Sequence, residues 1–485
     1  MTENSHQNCP AVTAELCQWV HSLRLTDIPD QVVTRTKYLI LDGLACAIIG
    51  SHLPWSEIGT RAVLSMEAAG SCSVWGWDEK VGPLAAALLN SSFIQAFELD
   101  DFHAESPIHS SSVVLPALCA LVQHAQYPVS DSQFLLAALI GYEIGPRVGV
   151  GLWGGEILSR GWHSGAIFGP AAAAAASSKL LDLDVGELEH ALGIACTQAC
   201  GLMSAQYGSM VKRMQHGFAS RNGLFSALMA SQGYTGIEKV LETPYGGFIS
   251  TFGNGGIREP PTTPHRITEK LGKTWGLRKI NVKPYASMAA THGAIDCTRK
   301  IQEQHPNILT GVEAIDEIVV EMSEPAFKKG GWVPQRPAEI TSAQMSAPYA
   351  VACQIVDKTV LVEQFTPASL NRNEVWKWVD KIRCVHNRDF DKDKRTMWFQ
   401  RMTVKFRDIT RGQVVALVEA PRGVEPLLTN EEILEKWRML TRDVIDIGTR
   451  ERIEQIVLSL GSGADLYELV GLLGKNTRKF LILGY

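Results

Sequence analysis

The sequence predicts a mainly α protein with a smaller α+β domain: a large helical part drawn from both ends of the chain, interrupted by a unit that contains strands. Three observations carry this. Apolar residues recur at three-four spacing through most of the stretch from Thr13 to Met229, which marks helices with a buried face. Period-two alternation appears in Ile315–Met322, Met402–Arg407 and Gln413–Glu419, which marks half-buried strands. Helical spacing returns from Thr429 onward. At 485 residues the chain exceeds one ordinary core, and the shifts in period divide it into 1–276 (helical), 277–421 (α+β) and 422–485 (helical, packing back on the first part).

In chain order, Thr13–Ser22 and Pro29–Ile49 read as helices, the second stopped by Gly50. Pro83–Phe97 is an Ala-rich helix that runs into Glu98, Asp100, Asp101, His103 and Glu105, followed by His109 and the serines 110–112. Carboxylates at the C-terminal end of a helix oppose its dipole. The cluster is therefore either functional or a polar loop before the next helix, which is expected near Ser112 with Ser110–Ser112 as caps. After a helix at Phe134–Gly149, the glycine-flanked run Gly161-Trp-His163-Ser-Gly165 leads into a helix whose small residues at Ala171–Ala176 let a neighbour approach closely. His163 is either a structural histidine at a helix start or, with backbone freedom from those glycines, a ligand-facing one. Glu187–Ala205 continues as helix.

The stretch Cys200–Gly223 concentrates one Lys, two Arg and one His on a short apolar scaffold. Gly208 and Ser209 break the preceding helix, and a new one from Met210 places Lys212 and Arg213 in its first turn, with Met214, Phe218, Leu224 and Phe225 as core contacts. Two cations at the positive end of a helix dipole are either a solvated basic turn or groups that hold an anion. Beyond Thr243 the Gly- and Pro-rich run to His265 reads as one long loop. Met402–Arg407 and Gln413–Glu419 form a hairpin, with helices at His292–Gln304 and Gln344–Val356; Thr429 to Glu432 is a capping box.

Composition limits the functional classes. Apolar residues make up 45% and charged residues 20%, ordinary for a globular protein. A net charge of −5 without a Lys/Arg block gives no reason to expect nucleic acid or an anionic membrane as partner. The apolar run Tyr38–Gly50 contains Asp42 and is too short to span a bilayer. The ten cysteines show neither a disulfide ladder nor a zinc pattern and read as small core residues in a reducing compartment. With no targeting signature in Met1–Val12, a cytoplasmic location is expected. No phosphate loop or dinucleotide fingerprint is present, so no nucleotide or flavin cofactor is expected. Asp100, His103 and His109 could be drawn as metal ligands, but their spacing matches no established pattern, and no metal is expected.

Residues 37–50 (KYLILDGLACAIIG), NSSFIQAFELDDFH with His109 and its serines, Gly161–Gly165, VKRMQHGFASRNG and residues 283–296 (KPYASMAATHGAID) together resemble the MmgE/PrpD family across nearly the whole chain. The resemblance implies a helical domain and an α+β lid with the active site between them, commonly in a homodimer. It implies a tricarboxylate substrate: cofactor-independent decarboxylation of cis-aconitate to itaconate and CO2, with dehydration of 2-methylcitrate as the alternative. A non-catalytic tricarboxylate-binding protein is a third, weaker reading. The family's catalytic positions fall on His109, His163 and Lys212, and its acidic position on Glu98, where the family has Asp. A further His of animal members falls on Met288, with His292 four residues on as a substitute.

Loss of the carboxylate from the methylene carbon of cis-aconitate gives a dienolate-like anion, which needs cations at the remaining carboxylates and an acid at carbon. Lys212 and Arg213 suit the first task, His109 and His163 the second. Glu98 or Asp100 would orient a His and raise its pKa; Asp100, Asp101, Arg213 and His292 complete the expected substrate contacts. Dehydration would use the same groups, so the residues alone do not separate the two reactions.

Overall fold

The computed structural model describes residues 11–392 and 398–479. Met1–Pro10, on which most of the targeting expectation rests, lie outside them. The longer helices of the body are α1 (Val12–Ser22), α2 (Asp30–Gly50), α3 (Pro54–Met66), α4 (Pro83–Ile94), α5 (Ser110–His124), α6 (Asp131–Gly151), α7 (Ser164–Leu180), α8 (Val185–Cys196) and α9 (Gln215–Ala230). Two are central. α2 is buried without a break from Leu39 to Gly50, and in α7 every residue but Lys179 is buried. The small face of α7 does what its composition suggests: a Cβ at Gly223 of α9 would lie 2.4 Å from that of Ala173, so the two helices touch almost backbone to backbone. α6 is long and apolar enough to cross a membrane, yet 89% of its apolar window is buried inside the body, and its Glu143 and Arg147 pair with each other.

Several local expectations are corrected. Serines 110–112 are not caps but the first turn of α5, with His109 at the N-cap. The helix from Val185 stops at Cys196, followed by a 3₁₀ turn at Met203–Tyr207, and Cys200 is exposed while the eight other described cysteines are buried. The glycine-rich stretch beyond Thr243 contains a short helix, Phe248–Gly253, and a further turn at His265–Thr268. Phe225 is 36% exposed rather than core.

Two small antiparallel pairs lie apart from the larger sheet: β1 (Ala69–Val74) with β2 (Glu79–Val81), and β3 (Phe102–His103) with β4 (Ile280–Asn281). The larger sheet comprises β5 (Ile315–Met322), β6 (Ile382–His386), β7 (Gln400–Phe406) and β8 (Gln413–Val418) in the order β6-β5-β7-β8. β7 and β8 form the expected antiparallel hairpin. β6, unanticipated from sequence, runs parallel to β5. Alternation in β5 and β7 turns Ile315, Ile318, Val320, Met322, Met402, Val404 and Phe406 into the core, and α10 (His292–Gln304) and α11 (Ala347–Asp357) complete this unit.

The C-terminal helices α12 (Asn430–Thr441), α13 (Ile447–Leu458) and α14 (Leu466–Leu473) return to the body. α12 and α13 pack on α2 and α14 on α5. Lys436 of α12 is buried, with Nζ 2.7 Å from Asp42 Oδ1 and 2.7 Å from the Leu99 carbonyl. Thus the last segment holds the backbone between Glu98 and Asp100.

Candidate active site

After α4 the chain tightens into a 3₁₀ turn, Gln95–Phe97, and Glu98 follows with φ 53°, a left-handed conformation that costs a non-glycine residue about 1 kcal/mol. That twist turns the Glu98 carboxylate into the protein, where it is 5% exposed. Oε1 accepts from Lys212 Nζ at 2.8 Å and Arg213 at 3.0 Å, and Oε2 from Lys283 Nζ at 3.2 Å. Burial alone would raise its pKa, but the three cations outweigh burial and hold it well below the usual carboxylate range. Lys212 and Arg213 lie in a separate 3₁₀ turn, Met210–Arg213, ahead of α9 rather than in its first turn. The anion that this basic pair requires is supplied by the chain itself.

Asp100 is fully buried and, unlike Glu98, engages a histidine: its Oδ2 lies 2.9 Å from His109 Nδ1, and Lys283 Nζ is 3.8 Å from Oδ1. Burial pushes its pKa up, but His109 and Lys283 prevail and lower it. An ionised Asp100 fixes Nδ1–H on His109 and leaves proton exchange to Nε2. The His109 side chain is 15% exposed, against 5% or less for Lys212, Arg213 and Lys283.

His163 is the N-cap of α7, buried, its backbone N–H donating to the Gly201 carbonyl at 3.1 Å. Gly161 (φ 94°) and Gly201 (φ 148°) allow the two strands of this contact to turn so tightly. His163 Nδ1 is buried with no hydrogen-bond partner among the described residues. Burial, then Lys212 and His109, depress its pKa well below normal, so it is a neutral imidazole.

The structure brings Glu98, Asp100, His109, His163, Lys212 and Arg213 into one cluster. Asp101 and His292 it commits elsewhere. Asp101 accepts the Ser111 N–H at the start of α5, and its pKa is raised well above normal by burial and by Asp100 and Asp42. His292 Nε2 lies 3.0 Å from the Ser287 carbonyl, the ring packs edge-on against Tyr285, and burial lowers its pKa to about 3, which rules it out as a proton donor near neutrality. Met288 packs toward Gly330 in the α+β unit. Nor does Glu98 orient a histidine; that role falls to Asp100.

Three residues were not singled out by sequence reasoning. Lys283 lies just beyond β4 and joins both carboxylates. His216 in α9 packs between His109 and His163, with ring centroids 4.9 Å from each. Gln344 of the α+β unit accepts from Arg213 at 2.7 Å and donates to the carbonyls of Phe97 and Ala286 at 2.9 and 3.0 Å, so it closes that unit onto the body. Only Lys283 and His216 carried a signal, their presence in the motif segments.

Asp100, His109 and His216 each offer an atom within 4.8 Å of the others, a spacing that could hold a metal ion. Lys283 beside Asp100 and Lys212 nearby oppose a divalent cation there electrostatically. The cluster is instead suited to a small polyanion: three cations to hold carboxylates, one carboxylate-oriented histidine to move a proton and one neutral histidine to hydrogen-bond.

A buried cation–carboxylate–histidine cluster lies where the helical body meets the α+β unit, an arrangement suited to acid/base chemistry on an anion. The chain belongs to the MmgE/PrpD family: the MmgE/PrpD N-terminal domain matches residues 14–259 and the MmgE/PrpD C-terminal domain residues 285–462. It is 48% identical over 95% of its length to the cis-aconitate decarboxylase-like protein oryM of Aspergillus oryzae, covering 97% of that protein. It is 44% identical to the cis-aconitate decarboxylase of Aspergillus terreus over 97% of both chains, and 24% identical to that of Mus musculus over 92% of this chain and 91% of the mouse protein.

Proposed function

We propose that this protein is a carbon–carbon lyase that converts cis-aconitate to itaconate and carbon dioxide, without an added cofactor or metal, as a cytoplasmic homodimer. The observation that carries the reading is the convergence of Lys212, Arg213 and Lys283 on a single carboxylate, with the Asp100–His109 pair and His163 beside it. The similarity to proteins named cis-aconitate decarboxylase supports it.

The substrate enters when the α+β lid, 277–421, opens at the Gln344 contact. One of its carboxylates displaces the Glu98 oxygen from Lys212 and Arg213. Carbon–carbon cleavage at the methylene carbon releases CO2, and the electron pair moves through the double bond to the carbon beside the far carboxylate. Lys212, Arg213 and Lys283 stabilise the dienolate, whose charge rests on carboxylate oxygen, more strongly than the ground state. A proton from His109 Nε2 quenches that carbon, while neutral His163 donates a hydrogen bond to a carboxylate. Closure excludes water and strengthens each of these contacts.

The exposed apolar residues Leu202, Tyr207, Met210 and Val211 support the homodimer, since they flank the Lys212 turn and offer a surface for a second copy. Incubation of chelator-treated protein with cis-aconitate tests the reading: itaconate and CO2 are expected. If cis-aconitate survives while 2-methylcitrate loses water, the protein is the dehydratase instead.

A further inference from the structure

The hydrogen bonds around His216 define its tautomer. Ser112 Oγ is 3.0 Å from the His109 carbonyl and 2.8 Å from His216 Nδ1. A hydroxyl has one proton and a carbonyl only accepts, so Ser112 donates to the His109 carbonyl and receives Nδ1–H from His216. His216 Nε2 is then a bare acceptor. Gln95 agrees: its Oε1 accepts the His216 backbone N–H at 3.2 Å, which points its amide Nε2–H toward His216 Nε2 at 3.4 Å.

The ring also has a cleared space. A Cβ at Gly165, in the first turn of α7 just after His163, would lie 2.2 Å from His216 Nε2 and 2.8 Å from Cδ2. Gly165 has an ordinary negative φ, so its backbone does not require glycine; the imidazole does. His216 is fully buried, fastened to the segment carrying His109 through Ser112 and seated on the turn carrying His163.

We infer that His216 is a positioning residue for the decarboxylation proposed above: a neutral wedge that sets the ring planes and separation of His109 and His163, with Gly165 as its clearance. The inference rests on that reading. Burial, with His109 and His163 next, lowers the His216 pKa well below normal, consistent with a ring that takes no charge itself.

A double-mutant cycle on cis-aconitate turnover tests it, with thermal unfolding to confirm that each variant is folded. His216→Asn and Gly165→Ala should each lower kcat at least about tenfold and leave KM within about twofold, since misplacing a reacting group costs rate more than binding. In the double variant Gly165→Ala should cost no more than about twofold beyond His216→Asn, because the imidazole that needed the clearance is gone. Multiplicative losses, or a folded His216→Asn with normal kcat, overturn the inference. If His216→Asn does not fold, Ser112→Ala replaces it: a fall in kcat of at least about threefold at unchanged KM is expected, and an unchanged kcat overturns the wedge. A wild-type protein that leaves cis-aconitate intact refutes the proposed function itself, and the inference falls with it.

Discussion

Glu98 Oε1 accepts hydrogen bonds from both Lys212, at 2.8 Å, and Arg213, at 3.0 Å, so in the proposed reaction a substrate carboxylate would reach these cations by exchange with a carboxylate already there. The displaced Glu98 carboxylate keeps Lys283 on Oε2, so the exchange does not strand a buried charge. Lys212→Ala should lower kcat on the order of 10²-fold or more by removing charge stabilisation from the dienolate. Lys212→Arg should recover only part, since a planar fork does not occupy a point charge's place. Steady-state kinetics decide: a folded Lys212→Ala protein with normal kcat and raised KM would reduce Lys212 to a ground-state contact.

Lys436 reaches the active-site backbone from the far end of the chain, bridging Asp42 and the Leu99 carbonyl. Lys436→Met leaves Asp42 buried and unpaired, and should destabilise the protein by about 3–5 kcal/mol. The double variant Asp42→Asn/Lys436→Met should regain much of that. Denaturant unfolding measures both, and a Lys436→Met variant as stable as wild type would contradict the buried pairing.

Much of this site was legible in the sequence because it broke local rules. Carboxylates at a helix end and two cations beside a glycine break are locally unfavourable, and the structure shows each satisfying the other across the fold. Lys283 and Gln344 break no rule in their own segments, and what they bind shows only in their three-dimensional proximity to Glu98 and Arg213. The division of Asp100 from Asp101 was equally invisible, because neighbouring residues point to different partners, one to His109 and one to the Ser111 N–H. In the lid, β7 and β8 announced themselves by alternation. Ile382–His386 did not, since a short strand with a charged residue shows its type only by pairing with β5.

Gln344 ties the α+β unit to Phe97 and Arg213, so opening of that unit as the proposed lid would break those hydrogen bonds. Gln344→Ala should speed hydrogen exchange in 339–346 and around Lys283 in the substrate-free protein, and a substrate analogue should restore protection. Exchange in both regions that is unaffected by the substitution and by the analogue would count against a moving lid.

His103 accepts the Ser106 N–H at Nδ1 and is buried, which lowers its pKa to about 4. Its folded pKa lies below its unfolded one, so the stability it contributes is present above pH about 6.5 and is lost as pH falls toward 4. The loss from this one group amounts to about 3 kcal/mol. His163, His216 and His292 act in the same sense, while Asp42 and Asp101, raised by burial, act in the opposite sense. Comparison with His103→Gln isolates the single term: wild type should lose about 3 kcal/mol more than the variant over this window in denaturant titrations. Parallel pH dependences would show that His103 is not buried neutral.

The most direct test follows cis-aconitate by proton NMR in D2O with chelator-treated protein. The account predicts vinylidene signals of itaconate, with one deuterium placed on the saturated methylene carbon, where the dienolate is quenched by an acid that has exchanged with solvent. Cis-aconitate left unchanged, or itaconate formed with no deuterium at that carbon, would contradict it.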